Sequence, residues 1–389
     1  MANELSRDRL SMGVDIGSQV VKVVFADRAG SRVEIEGAHS LPSSIGAVEA
    51  GVVREPKRLG RALAEKLAEY PLADAEAIVS IPSNLAVLRW VSLPLVEGDE
   101  LREAARFKVK RHLPFPVEAA YVEASTPQPE GNESAGQSLV IAVRREVIDS
   151  RAEALEYGDI TTIGAELEAQ AILRIVERKL NEQSALWRDA SLTIIDMGAN
   201  NTHMYVVQNQ RLQFIRGVKF GAARFVQAVA SEFECSIEQA EAIMGGPNTQ
   251  LSPDGMLHLT VNEQPARVNV QQETEKLTRE FLRLLRYFRS LHPERSYAGI
   301  LDHVLLCGGL AGVKGVAEFL QTVLGLRVEQ AKPFAGMVGK FNRETFESIS
   351  SRQEAFTIAV GLALSGLAIR GYSAGENSAR REFTWARSA

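Results

Sequence analysis

Cysteine is scarce in this sequence: Cys235 and Cys307 are the only two in 389 residues, and neither has metal-ligand or CxxC spacing. Two isolated thiols suit a reducing compartment. No excess of positive charge is present, since the formal net charge is −5, and a whole-molecule field that would attract nucleic acid is therefore excluded. The opening MANELSRDRLSMG has no apolar core of the kind a signal peptide needs, which points to the cytoplasm. No run of about 20 apolar residues exists to span a bilayer. The longest apolar stretch, Ala355 to Ile369, is interrupted by Thr357, Ser365 and two glycines and reads as a buried helix. The G-x-x-x-x-G-K-[S/T] pattern is missing, which rules out an ordinary P-loop. His112 has no second His or Cys near it in sequence and reads as structural.

What remains is an ordinary globular composition, 45% apolar and 24% charged, long enough for two cores. The pattern predicts strands at 12–16, 20–25 and 32–39, a helix carrying Leu59, Leu63 and Leu67, and a buried strand at 77–81 closed by Pro82. From 84 the character changes. A strand (86–93), a charged helix capped near Asp99, a Pro/Gly/Ser-rich loop (125–138), a strand (139–143) and a helix ending at Gly158 read as an inserted subdomain. A helix is expected over 165–180 and strands at 192–196 and 202–207. Ser236 to Gln239 reads as a capping box and 245–265 as loop. A long helix over 269–291 and strands at 303–307 and 326–329 complete the pattern. The expected division is a first α/β domain (1–83 and 159–190), the α+β insertion (84–158), a second domain (191–354), a closing helix that returns to the first (355–371) and a tail (372–389).

One internal repeat carries chemistry. Met12 to Gly17 ends an apolar strand with Asp-x-Gly and runs on into a second strand; Leu192 to Gly198 does the same. A tight hairpin with Gly at its bend gathers backbone N–H groups that suit phosphate oxygens. The carboxylates beside the turns, Asp15 and Asp196, repel phosphate but can hold a hydrated Mg²⁺ that neutralises it. Lys22, a single cation among Val20, Val21, Val23 and Val24, can reach a phosphate. Two such hairpins facing each other would clamp a nucleotide tail. A third turn, Gly308-Gly309 after the strand Val304 to Cys307, would let the backbone approach adenine or ribose.

Strand-Asp-Gly, helix with Glu/Gln, strand-Asp-Gly and strand-Gly-Gly, in that order, resemble the actin, sugar kinase and heat-shock chaperone superfamily, an actin-like (ribonuclease H-like) α/β fold. Within it the sequence resembles most the PilM family of type IV pilus assembly, from Met12 to about Gly371. The residues that carry this resemblance include Gly13 to Ser18, Val21 to Val24, Ala77 to Pro82, Arg89, Leu93-Pro94 and the Leu113-Pro114-Phe115-Pro116 element. Asp196 to Ala199 with Thr202, Phe220-Gly221, Glu280, Arg283 with Tyr287 to Arg289, and Ala355 to Leu364 carry the rest. Leu310 and Asn200-Asn201 depart from the pattern.

The resemblance implies ATP or ADP with Mg²⁺, bound through Asp15, Gly17, Ser18, Lys22, Asp196, Gly198, Ala199, Thr202, Gly221, Glu280, Arg283, Gly308 and Gly309. It implies that Glu168 or Gln170 on the connecting helix positions the attacking water, in a slow ATPase at most. The implied partner is the cytoplasmic N-terminal peptide of PilN, in a groove walled by Leu113 to Phe115 and the strand at 86–93. Contacts with the pilus motor ATPases and platform protein, a homo-oligomeric ring and an indirect attachment to the inner membrane are also implied. An FtsA-like division protein, a small-molecule kinase and a nucleotide-free structural protein are the alternatives. The basic helix with Arg102, Arg106, Lys108, Lys110 and Arg111 reads as a solvated face or as a contact for anionic lipid or a partner.

Overall fold

A computed structural model describes residues 10–30, 32–70, 72, 75–129, 135–183, 191–208, 211–291, 303–340 and 349–373. Part of the tail read at 372–389 lies outside them. The chain forms two compact units: Met1–Arg174, Met337–Phe341 and Ile358–Ala389 make one, Ile175–Gly336 and Asn342–Thr357 the other.

Unit 1 begins with β1 (Leu10–Ile16), β2 (Val20–Ala29) and β3 (Arg32–Pro42). These form an antiparallel meander in which Asp15 pairs with Lys22 across the first turn. A small hairpin, β4 (Val48–Glu49) with β5 (Val52–Val53), leads into α1 (Pro56–Lys66), which starts on a proline and buries Leu59 and Leu63. β6 (Ala75–Ile81) then adds parallel to β1. Its alternation is lost because both faces are covered, as a parallel central strand requires.

The chain leaves this sheet for β7 (Val87–Pro94), α2 (Gly98–Val109), β8 (Ala120–Ala124), β9 (Gln128–Pro129) and β10 (Ala135–Arg144). They build a separate sheet in the order β7-β10-β8, with α2 on it and a core of its own around Leu93, Ala105, Val109, Val122 and Val140. Asp99 lies inside the first turn of α2, behind Glu97 at the cap position, which makes no side-chain cap bond. Part of the basic helix is internally satisfied: Arg102 pairs with Asp99 and Glu123, and Arg106 donates to the Val117 and Ala120 carbonyls. Next, α3 (Arg145–Glu156) packs Val147, Ala154 and Leu155 into the main core of unit 1 rather than into that of the small sheet.

β11 (Thr161–Leu167) joins parallel to β6 and runs straight into α4 (Glu168–Gln183). The sequence reading placed a helix from Ala165. The β ladder with Ser80 and Ile81 takes Glu166 and Leu167 instead, so Glu168 opens the helix.

Unit 2 repeats the pattern. β12 (Ser191–Met197), β13 (Thr202–Gln208) and β14 (Arg211–Val218) form a second meander. α5 (Ala223–Glu232) and α6 (Ile237–Met244) follow, and Ser236 and Gln239 form the expected reciprocal capping box. The stretch read as loop folds into a three-stranded sheet of β15 (Gln250–Leu251), β16 (Met256–Val261) and β17 (Gln264–Asn269), which buries Leu257, Leu259 and Val268. α7 (Gln271–Leu291) buries Leu277, Phe281, Leu284, Leu285 and Phe288. β18 (His303–Cys307) lies parallel to β12, a 3-10 turn and α8 (Val316–Leu324) follow, and β19 (Val328–Gln330) lies parallel to β18.

The two main sheets therefore read β3-β2-β1-β6-β11 and β14-β13-β12-β18-β19, the same strand order and the same directions. Unit 1 gains one more strand, β20 (Val338–Gly339), beside β3, where Lys340 pairs with Glu34 and Glu36. It also gains α9 (Thr357–Ser373). That helix lies flat on β1 and α4 because glycine meets it at each approach. A Cβ on Gly13 would stand 2.0 Å from the Ala359 carbonyl oxygen, and one on Gly361 2.0 Å from that of Ala171. No helix among the described residues is long and apolar enough to cross a membrane.

Candidate functional site

Both Asp-x-Gly turns close in the same way. The Gly17 amide donates to the Val20 carbonyl at 3.2 Å, and the Gly198 amide to that of Asn201 at 3.0 Å. The glycine N–H groups are thus spent on shaping the turns. The donors left over are the amides of Ser18 and Gln19 in one turn and of Ala199 and Asn200 in the other, which take no partner among the described residues.

In unit 1 the carbonyls of the turn are tied back. Ser43, which follows β3, donates its hydroxyl to the Gly17 carbonyl (2.7 Å) and its amide to that of Gln19 (2.8 Å). Arg151 on α3 donates to the Ile16 carbonyl at 2.9 Å and to the Gly51 carbonyl at 3.0 Å. With the acceptors occupied, the turn offers donors to an anion.

Asp15 is 2% exposed and bonds Lys22 Nζ through Oδ2 at 3.1 Å. Its Oδ1 is buried and takes no hydrogen bond among the described residues. A buried carboxylate oxygen left open suits a cation or its water shell. Glu168 is buried at the head of α4. Its Oε2 accepts from the Ser83 amide at 2.9 Å, while the Ser83 hydroxyl accepts from the Ala169 amide at 3.2 Å. Burial and the neighbouring Asp15 charge push the Glu168 carboxyl up to about 7, against the pull of the Ser83 amide, Arg151 and Lys22. Burial brings the Arg151 guanidinium down to about 10, so it stays charged at neutral pH. Gln170 turns the other way: its Oε1 accepts from the Leu167 amide and serves the start of the helix.

In unit 2, Asp196 is buried and faces His203 across the β12/β13 ladder. Burial lowers the His203 pKa, and Asp196 works against that; the ring Nε2 is buried without a hydrogen bond among the described residues. The turn is braced from the segment after β14, where the Ala222 and Ala223 amides donate to the Gly198 and Ala199 carbonyls at 3.1 and 2.9 Å. Thr202 gives its hydroxyl to the Phe220 carbonyl (2.8 Å) and locks the same segment. Gly308 sits at φ +92°, and a Cβ there would stand 2.5 Å from Asp196 Oδ1. Gly309 has open space where a side chain would be.

Asp15, Lys22 and Glu168 therefore come together in unit 1 beside Gly17 and Ser18, and Asp196, Gly198, Ala199, Thr202, Gly221 and Gly308 come together in unit 2. Glu280 and Arg283 pair with each other on α7 at 2.9 Å and bond none of the turn residues among those described. Sequence reasoning missed Ser43, Arg151 and His203. His203 could have been found, since a hairpin closed between Gly198 and Asn201 pairs Met197 with Thr202 and therefore Asp196 with His203.

The profile of the family described as "Type IV pilus assembly protein PilM" matches residues 13–367. The chain is 23% identical over 362 residues to the cell division protein FtsA of Streptococcus pneumoniae, covering 85% of this chain and 77% of that one. It is 24% identical over 370 residues to FtsA of Bacillus subtilis, covering 85% and 80%. Among solved structures, the "PilM-PilN type IV pilus biogenesis complex" superposes with a TM-score of 0.73 at 23% identity, covering 92% of this chain and 98% of that one.

Proposed function

The chain belongs to the type IV pilus assembly protein PilM family and has the actin-like fold, and from that premise we propose that it is a nucleotide-binding scaffold of pilus assembly. The observation that carries this reading is the pair of matched Asp-x-Gly turns on two sheets of identical strand order, each with its carbonyls tied back and two amides left unspent. ATP or ADP is the ligand. Asp15, Gly17, Ser18 and Lys22 of unit 1 and Asp196, Gly198, Ala199, Thr202, Gly221, Gly308 and Gly309 of unit 2 are its binding residues, with Glu280 and Arg283 toward the nucleoside. Asp15 and Asp196 are the carboxylates for Mg²⁺, whose part is to neutralise phosphate charge. Glu168, rather than Gln170, is the group available to orient water, because it is a buried carboxyl poised near neutrality whereas Gln170 serves its own helix.

The partner in this reading is the cytoplasmic N-terminal tail of PilN. An extended peptide adds to a sheet edge and fills side-chain pockets beside it. β7 is the edge strand of the small sheet, with Trp90 exposed on it, and Leu113 and Phe115 pack against that sheet's core. Membrane attachment then comes through PilN, and the motor ATPases and platform protein are further contacts of the assembled ring.

Two measurements test the reading. Binding to the folded state alone stabilises it by roughly 2.7 kcal/mol at a hundredfold excess of ligand over Kd. A thermal melt that does not move with millimolar Mg-ATP, for a preparation free of nucleotide, overturns the nucleotide part. Fractionation after expression with and without PilN tests the partner: recovery with membranes only when PilN is present is expected. Membrane recovery without it favours a self-anchoring, FtsA-like protein instead.

A further inference from the structure

Arg151 is wholly buried, sits on a helix outside the hairpin, and spends its guanidinium on two backbone carbonyls rather than on a single carboxylate partner. Its Nε takes no hydrogen bond among the described residues. A buried cation is costly, and a packing residue of the same length would avoid that cost, so the position calls for a reason. The Ile16 carbonyl supplies one. It belongs to the same peptide unit as the Gly17 amide, which closes the turn onto Val20. One end of that plane is therefore held by Arg151 and the other by Val20. The second donor reaches Gly51, at φ +81° in the β4–β5 hairpin, so a single planar group spans two turns that β2, β3 and β4 separate in sequence.

We propose that Arg151 is a positioning residue for the first hairpin, holding the Ile16–Gly17 peptide so that the Ser18 and Gln19 amides stay free for phosphate. This rests on the reading of that hairpin as a phosphate loop. The guanidinium suits the task where an ammonium does not, because its planar fork reaches two fixed acceptors at once. Its charge has a second use, since it acts on both Asp15 and Glu168, the two carboxylates beside the hairpin.

The test compares Arg151→Lys and Arg151→Met with the unaltered full chain. Three quantities are read: the thermal melt, hydrogen exchange of the amides of residues 14–22 without nucleotide, and Mg-ATP affinity. Expected are at least tenfold faster exchange at Gly17, whose amide is bonded to the Val20 carbonyl, with the β6 and β11 amides unchanged, and at least tenfold weaker Mg-ATP binding. Arg151→Lys should recover part of the affinity by restoring charge, but not the exchange protection. Uniformly faster exchange across unit 1 in both variants, in step with a lowered melt, makes Arg151 merely structural and overturns the proposal; so does failure of both variants to fold. Hairpin exchange and affinity at the unaltered level also overturn it. If the unaltered chain itself binds no Mg-ATP, the nucleotide reading falls, and the exchange comparison alone still decides whether Arg151 holds the hairpin.

Discussion

Gly221 lies so close to Ala199 that a Cβ on it would meet the Ala199 carbonyl oxygen at 2.3 Å. The neighbouring amides of Ala222 and Ala223 use this closeness to bond the second hairpin. Gly221→Ala must push the two segments apart, at a cost of roughly 1–3 kcal/mol for overpacking. Urea unfolding should show that loss. Mg-ATP affinity should fall with it, because the displaced carbonyls of Gly198 and Ala199 flank the free amides.

Lys22 and Asp15 form an ion pair whose side chains are 16% and 3% exposed. Lys22→Met leaves a buried carboxylate without its cation and should cost roughly 3 kcal/mol, near the lower end for a broken buried pair because the lysine end is partly wet. Asp15→Asn in the same chain should restore much of it. A double-mutant cycle by denaturant unfolding reads the coupling, and additive losses would mean the pair contributes nothing.

Glu168 gives stability a pH dependence of known sign. Its carboxyl is raised from 4.5 to about 7 in the folded chain, so between those values the folded state binds the extra proton. The stabilisation is present below pH 4.5 and is lost as pH rises through 7, an effect on the order of 3 kcal/mol. Glu168→Gln keeps an acceptor for the Ser83 amide and removes the titration. Its unfolding free energy should lack this slope and exceed that of the unaltered chain at pH 8. Any ATP hydrolysis should fall sharply in the variant while nucleotide binding holds.

Gly361 meets the Ala171 backbone with no room for a methyl group. Gly361→Ala should therefore lift α9 from α4 and cost roughly 1–3 kcal/mol or more. Gly309→Ala, at a glycine with nothing within 4 Å, is the matched control and should leave stability within about 0.5 kcal/mol. Paired thermal melts distinguish them.

The repeated hairpins were legible because each chemical residue lies next to its glycine at the end of an apolar strand, all within a few positions. The boundary at Glu168 was not. Ala165, Glu166 and Leu167 are all good helix formers and continue directly into a helical period, and only the ladder with β6 makes them strand. β15 to β17 were hidden by short strands among glycine, proline and asparagine, whose burial comes from α5 and α6 packing over them. Arg151 was invisible for another reason. On a helix rich in charge it reads as solvent-facing, and its acceptors, Ile16 and Gly51, lie 135 and 100 positions away.

The chain's route through its two units governs the order in which they can be completed during synthesis. Unit 1 needs α9 to cover Gly13 on β1, yet the residues from Ile175 to Thr357 are made first, and nearly all of them belong to unit 2. At ordinary elongation rates that delay is on the order of 10–40 s. During it the face of the first sheet that carries Gly13 has no native cover, and unit 2 still lacks its own last segment, Asn342–Thr357. The nascent protein thus carries two unfinished units together until its last segments are made, and any mutation that loosens α9 should act first on yield in the cell and only then on the finished molecule.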